Sequence, residues 1–377
     1  MKSRAEQLLA LGQSVWLDFI RRGHLHSGEF DRLVRDNGVV GVTSNPTIFQ
    51  QAIADSHDYD AALQSGIAAG LDDLALYERL AIEDIQLACD RLLPLYRSTA
   101  GRDGRVSLEV SPRLSHDTAG SIEEGQRLHA AVARDNVMIK VPATVAGLPA
   151  IRALLGLGIS VNVTLIFTLA RYEQVIEAFL GGLEDRVARG GAPGDIRSVA
   201  SFFVSRVDAK VDKAIETTLA ALPPGATERA ELETLPGRAA VANARLAYAR
   251  FRVVFGSARW QALAAQGAHV QRPLWASTST KNKSYRDVLY VEELIGPDTV
   301  NTMPPQTLAA FNDHGVAEAR IERDVDAARR LFERLPALGI PLARLLDELE
   351  PEGVASFEKS FDALLSAIAQ RRREMAA

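Results

Sequence analysis

Eight short apolar runs alternate with helical stretches, which predicts a parallel (βα)8 barrel, the TIM-barrel form of α/β architecture, with extra helices inserted and at the C-terminus. Two further observations agree. At 377 residues and 47% hydrophobic, the chain can bury one large core plus helical additions. Polar residues also gather toward the C-terminal ends of the runs, where this fold builds its active sites. The expected organisation is one domain over 1–377, with a helical insertion at about 209–267 and C-terminal helices at about 306–377. A doubly wound sheet is the rival architecture.

Bulk properties narrow the partners. A net charge of −5 and a pI near 5.9 give no electrostatic reason to expect nucleic acid or a membrane surface. No apolar run approaches the roughly 20 residues of a membrane span. The N-terminal Leu-Leu-Ala-Leu run is too short, and too acidic at its start, for a signal peptide. A cytoplasmic location is therefore expected. The single cysteine, Cys89, can form no intramolecular disulfide and is read as core filler. Periodicity leaves monomer and homodimer open.

The first strand candidate is Ser14-Val15-Trp16-Leu17-Asp18-Phe19, with Asp18 near its end. A charged helix follows at about 27–36. The pair His24 and His26 just before it reads as a surface pair in a loop, and no metal site is expected. The second strand, at 38–46, ends in Thr43-Ser44-Asn45-Pro46. Pro46 stops regular pairing and Asn45 suits a turn or helix cap. Helices are expected at about 47–65 and 71–98. The third strand, 105–111, is interrupted by Glu109, an inward carboxylate that needs a cation.

A helix at about 117–134 leads to Val137-Met138-Ile139-Lys140-Val141-Pro142, the fourth strand. A lysine inside a buried run must reach an open strand end, pair with a carboxylate, or give up its proton. The last outcome creates an amine nucleophile suited to a Schiff base. After a helix at about 147–155, the fifth strand, 159–165, carries Asn162 and Thr164 two residues apart, hence on one face. A helix at about 169–187 separates it from the sixth strand, 198–204, which contains Ser201 and runs into Ser205-Arg206. The seventh strand, 273–278, runs into Ser279-Thr280-Lys281-Asn282. The eighth occupies about 298–304.

Two runs carry a resemblance. Val42-Thr43-Ser44-Asn45-Pro46-Thr47-Ile48 resembles one signature of the transaldolase family. Met138-Ile139-Lys140-Val141-Pro142-Ala143-Thr144, with Gly147, resembles the other. Their order and spacing match, and the similarity extends from about Val15 to the eighth strand and into the helices beyond. The resemblance implies that Lys140 forms an imine with a ketose. It implies that Glu109, with Thr164 and a water, moves protons, and that Asp18 handles the C4 hydroxyl proton. Asn45, Asn162 and Ser201 would hold and orient substrate, with Thr43 in the same substrate-binding group. Arg206 with Ser279 would bind the sugar phosphate.

Lys281 stands where the better-known branch of the family carries a second phosphate-binding arginine. Phe203 and Glu109 stand where the fructose-6-phosphate aldolase relatives carry tyrosine and glutamine, so both positions follow the transferase pattern. The implied partners are sugar phosphates, with no cofactor and no metal. The alternatives are a class I aldolase releasing free dihydroxyacetone and a non-catalytic sugar-phosphate-binding barrel.

Overall fold

Eight parallel strands close on themselves: β1 (Gln13–Leu17), β2 (Val39–Val42), β3 (Arg105–Glu109), β4 (Val137–Pro142), β5 (Val161–Ile166), β6 (Ser198–Phe203), β7 (Gln271–Ala276) and β8 (Thr299–Met303). Each pairs with the next, and β8 returns to β1. This is a computed structural model, and it describes residues 3–54 and 56–376. Parallel neighbours need a crossover, and helices supply it between most strands. Every strand residue is buried, as expected when a sheet is covered on both faces.

Register decides which side chains meet. Glu109 on β3 is paired with Lys140 on β4, and Lys140 with Asn162 on β5. Paired residues of neighbouring strands project to the same side, so these three form one inward row.

The last helix, Leu349–Ala376, lies across the C-terminal mouth of the barrel and packs along the helix Pro46–Ala54. Its buried residues Val354, Phe357, Phe361, Leu364 and Ile368 recur at steps of three and four, one apolar stripe. Thr47 Oγ1 bonds Ser360 Oγ (2.8 Å), and Arg371 Nη1 donates to the Ile53 carbonyl (2.9 Å). Gly353 permits close approach: a Cβ there would stand 2.9 Å from Leu165 Cδ2 and 3.5 Å from Arg206 Nη1.

Several expected boundaries move. The helix expected at 47–65 is two helices, Pro46–Ala54 and Asp60–Ala68. Between them Asp58 turns back to accept from Arg21 Nε (2.7 Å) and the Gly23 amide (3.2 Å), which ties the break to the barrel. The segment expected to begin at 209 is already helical at Ser205, and its helices are Ser205–Ala221, Arg229–Leu232, Ala239–Val254 and Ala258–Ala264. Arg206 thus sits on a first helical turn and not on a strand end. β7 starts two residues early because buried Arg272 is held by Ser14 and Asp103. His24 and His26 lie in a short helix, Arg22–His26, and not in a loop. Cys89 is fully buried in the helix Asp73–Ser98.

One buried carboxylate outside the barrel has a measurable signature. Asp208 accepts from the Ala240 amide (2.7 Å) and Tyr290 Oη (2.9 Å), yet burial outweighs both and pushes its pKa up to about 7. The folded chain holds this proton more tightly than the unfolded chain does. The associated stability is complete below pH 4 and is lost as pH rises through about 7. Asp208→Asn should therefore flatten the fall in unfolding free energy between pH 4 and 7 by on the order of 3 kcal/mol. Urea unfolding across that range checks it, and parallel profiles for the two proteins would refute it.

Candidate active site

A cavity of about 290 Å3 opens at the C-terminal face of the barrel. Asp18, Thr43, Asn45, Lys140, Thr164, Ser201, Phe203, Arg206, Ser279 and Lys281 line it, ten of the residues singled out in the sequence. They come from β1, β2, β4, β5, β6 and β7 or from the loops and turn that follow these strands.

Lys140 is the centre. Its side chain is 5% exposed, and Nζ donates to Glu109 Oε2 (3.0 Å) and to the Ser44 carbonyl (3.1 Å). The Phe357 ring covers the amine from above, with its centroid 5.6 Å from Nζ. Glu109 is not on the cavity wall. It stands behind Lys140, where burial raises its pKa, the Lys140 charge and hydrogen bond oppose that rise, and Asp18 adds to it. A carboxylate whose proton affinity is raised by burial and lowered by one amine is suited to exchange a proton with that amine.

Asp18 lies just past β1, its amide still bonded to the Met303 carbonyl of β8 (2.8 Å). It is half-buried. Burial raises its pKa, and the Thr43 hydrogen bond (2.6 Å) and the charges of Lys140 and Lys281 pull the other way without cancelling it. Thr43 Oγ1 also meets Thr302 Oγ1 of β8 at 2.6 Å, so the hydroxyl that holds Asp18 is itself held from the strand on the other side of β1.

Asn45 accepts the Ile48 amide (3.0 Å) as the cap of the helix Pro46–Ala54, the geometry its position before Pro46 predicts. Thr164 Oγ1 is buried with no hydrogen-bond partner among the described residues. A buried hydroxyl in a cavity wall with its capacity unused is a binding group for a polar reactant or a water. Asn162 does not reach the cavity wall. Its Nδ2 donates to Ser107 Oγ (3.0 Å) and its Oδ1 accepts from Ser201 Oγ (2.7 Å), so it orients Ser201 from within the barrel.

The opposite wall is cationic. Arg206 lies over the Phe203 ring, 5.4 Å to its centroid, and has no hydrogen bond or ion pair to another side chain among the described residues. Burial lowers its pKa, with Glu352 pulling upward. Lys281 Nζ donates to Ser279 Oγ (3.0 Å). An unpaired guanidinium on a first helical turn, near an ammonium and a hydroxyl, has the chemistry to hold an anion. Ser277, between these groups and β7, has a φ of +56° and meets Ser205 Oγ at 2.9 Å.

Sequence reasoning missed Thr302, Gln51, Gln306 and Phe357, all on the cavity wall. For Thr302 a signal existed, since it follows Asn301 directly and puts a polar group on the strand face it shares with Val300. For Phe357 there was only membership in an apolar helical stripe.

The comparisons agree with this geometry. Residues 15–368 match the family profile described as transaldolase/fructose-6-phosphate aldolase. The chain is 46% identical over 359 residues to "Transaldolase 2" of Nostoc sp., covering 95% of this chain and 94% of that protein. It is 48% identical over 372 residues to the transaldolase of Thermobifida fusca, covering 98% and 99%, and 42% identical over 367 residues to that of Trichodesmium erythraeum, covering 97% and 96%. The profile match over residues 15–368 and relatives 42% to 48% identical over nearly the whole chain place it in the transaldolase/fructose-6-phosphate aldolase family.

Proposed function

We propose that the chain works as a transaldolase through a Schiff base on Lys140, moving a dihydroxyacetone unit from sedoheptulose 7-phosphate to glyceraldehyde 3-phosphate in the non-oxidative pentose phosphate pathway. The observation that carries the reading is the 3.0 Å contact between Glu109 and the Nζ of Lys140, a lysine that lines a cavity with Asp18 and an unpaired Arg206. Lys140 passes a proton to Glu109 and attacks the ketose C2 carbonyl. Glu109 returns a proton as the carbinolamine loses water, leaving the imine. The unused Thr164 hydroxyl is placed to hold that water.

Asp18 then takes the C4 hydroxyl proton, and the C3–C4 bond breaks. Its electron pair moves toward the imine nitrogen, leaving an enamine on Lys140 and releasing erythrose 4-phosphate. The enamine adds to the incoming aldehyde and Asp18 returns the proton to the new hydroxyl, giving fructose 6-phosphate after hydrolysis. Asn45 and Ser201 hold the hydroxyls of the three-carbon unit, with Asn162 fixing Ser201. Arg206, Ser279 and Lys281 hold the phosphate; Lys281 serves as a point charge where a second arginine would bind bidentately. Phe203 supports Arg206 from below and supplies no acid. Sugar-phosphate substrates and an acidic chain with one cysteine fit a cytoplasmic setting. No described helix is long and apolar enough to cross a membrane.

The test is borohydride reduction in the presence of fructose 6-phosphate, followed by peptide mass mapping. The expected result is a three-carbon adduct on Lys140. A folded protein that turns over substrate yet yields no adduct, or an adduct on another lysine, would overturn the assignment.

A further inference from the structure

At the other end of the barrel, where the strands begin, a second cavity of about 440 Å3 lies beside the starts of β3, β4, β6 and β7. Four arginines face it: Arg102, Arg105, Arg197 and Arg272. Arg272 pairs with Asp103 (3.3 Å) and Arg102 with Asp298 (3.1 Å). Arg105 and Arg197 pair with no carboxylate among the described residues. Arg105 is 2% exposed. It donates to the Gly101 carbonyl (2.8 Å) and Ser160 Oγ (3.3 Å), and its cation rests against the Tyr96 ring at 5.1 Å. Arg197 donates only to the backbone carbonyls of Gly194, Ile196 and Ala100. Four guanidinium groups therefore stand against two carboxylates.

This arrangement costs stability. Burial, with the charges of Arg197 and Arg272, holds the Arg105 guanidinium down at about 10. His269 at the rim is lowered by burial and by Arg197, Arg105 and Arg102, which disfavours a further positive charge there. A plug for the barrel floor would be built more favourably from matched pairs or apolar side chains. Fork-shaped donors in positive excess are the arrangement that binds phosphoryl oxygens. The volume exceeds that of a single ion, and Trp260 and Met138 add an apolar wall.

We propose that this cavity is a second anion site, taking a small phosphorylated molecule at the N-terminal face of the barrel, apart from the Arg206 site at the opposite mouth. It does not depend on the Lys140 mechanism.

The test uses the full chain carrying Arg206→Ala, which weakens phosphate binding at the catalytic mouth, and titrates it calorimetrically with pyrophosphate. One pyrophosphate per chain should bind. Adding His269→Glu, at an exposed position where folding is not at risk, should weaken that binding by about tenfold or more. The same substitution should raise the melting temperature without ligand, because it supplies a missing negative charge. Arg197→Gln should also weaken binding. Titrations with inorganic phosphate and with fructose 6-phosphate, each repeated with His269→Glu, then distinguish free phosphate from a phosphorylated metabolite as the source, and saturation by either that His269→Glu weakens supports the site. No binding to the Arg206→Ala protein, or binding that His269→Glu and Arg197→Gln leave unchanged, would overturn it.

Discussion

Lys140→Met should lower turnover by at least about 10⁴-fold, because the covalent route is removed outright and only substrate binding remains. The barrel should still fold, at a cost set by Glu109. That carboxylate is buried beside Lys140 and is already raised by burial against the amine's pull. Without the amine its proton affinity rises further. The substitution then costs about 3 kcal/mol at pH 8, where Glu109 must ionise unpaired or hold its proton against solvent. The penalty shrinks as pH falls, since the folded chain takes up the proton that relieves it. Lys140→Met with Glu109→Gln should recover much of the stability and none of the activity. Urea unfolding at pH 5 and pH 8, beside a coupled assay, reads both quantities. Substantial turnover in the single variant would remove the Schiff-base role.

Asp18→Asn should lower kcat by roughly 10²- to 10⁴-fold while imine formation persists. The division of labour predicts that split: Glu109 contacts Lys140, whereas Asp18 does so only through its field. Borohydride should still trap a six-carbon adduct from fructose 6-phosphate in this variant, where the unaltered chain yields the three-carbon adduct, reduced as the imine tautomer of the enamine. In the proposed role as a base Asp18 must be ionised, and burial raises its pKa. The acid limb of kcat/KM should accordingly fall above the ordinary aspartate range, with activity lost as pH drops through it. Thr43→Val removes the first of the opposing influences and should move that limb to higher pH. An Asp18→Asn enzyme that cleaves at the normal rate would assign the C4 proton elsewhere.

Much of this site was legible because a barrel converts local strand pattern into a shared face. The placement of Lys140, Glu109 and Thr164 in or at the end of apolar runs followed from period-two spacing and the burial of the runs. Strand pairing then set Glu109 beside Lys140. Asn45 was readable as a turn or helix cap because Pro46 stops regular strand pairing. What escaped depends on longer-range geometry. The stripe containing Phe357 shows that its helix has a buried face, but periodicity says nothing about which surface that face covers. Asn162 shares a face with Thr164, yet spacing could not show that Ser107 and Ser201 claim its amide below the cavity. Arg272 reads as a strand flank until Asp103, far away in sequence, supplies its partner.

The helix that roofs Lys140 also has a consequence for how the protein is made. Synthesis is vectorial, so all eight strands leave the ribosome before Leu349–Ala376 does. A barrel that closed in that interval, on the order of ten seconds, would carry the Lys140 amine without Phe357 above it. A nascent chain in that state meets every small aldehyde in the cell with no steric selection. Docking of the final helix limits that exposure to the cavity mouth, and the amount of carbonyl adduct that borohydride traps on Lys140 in nascent chains should therefore record how quickly the roof arrives.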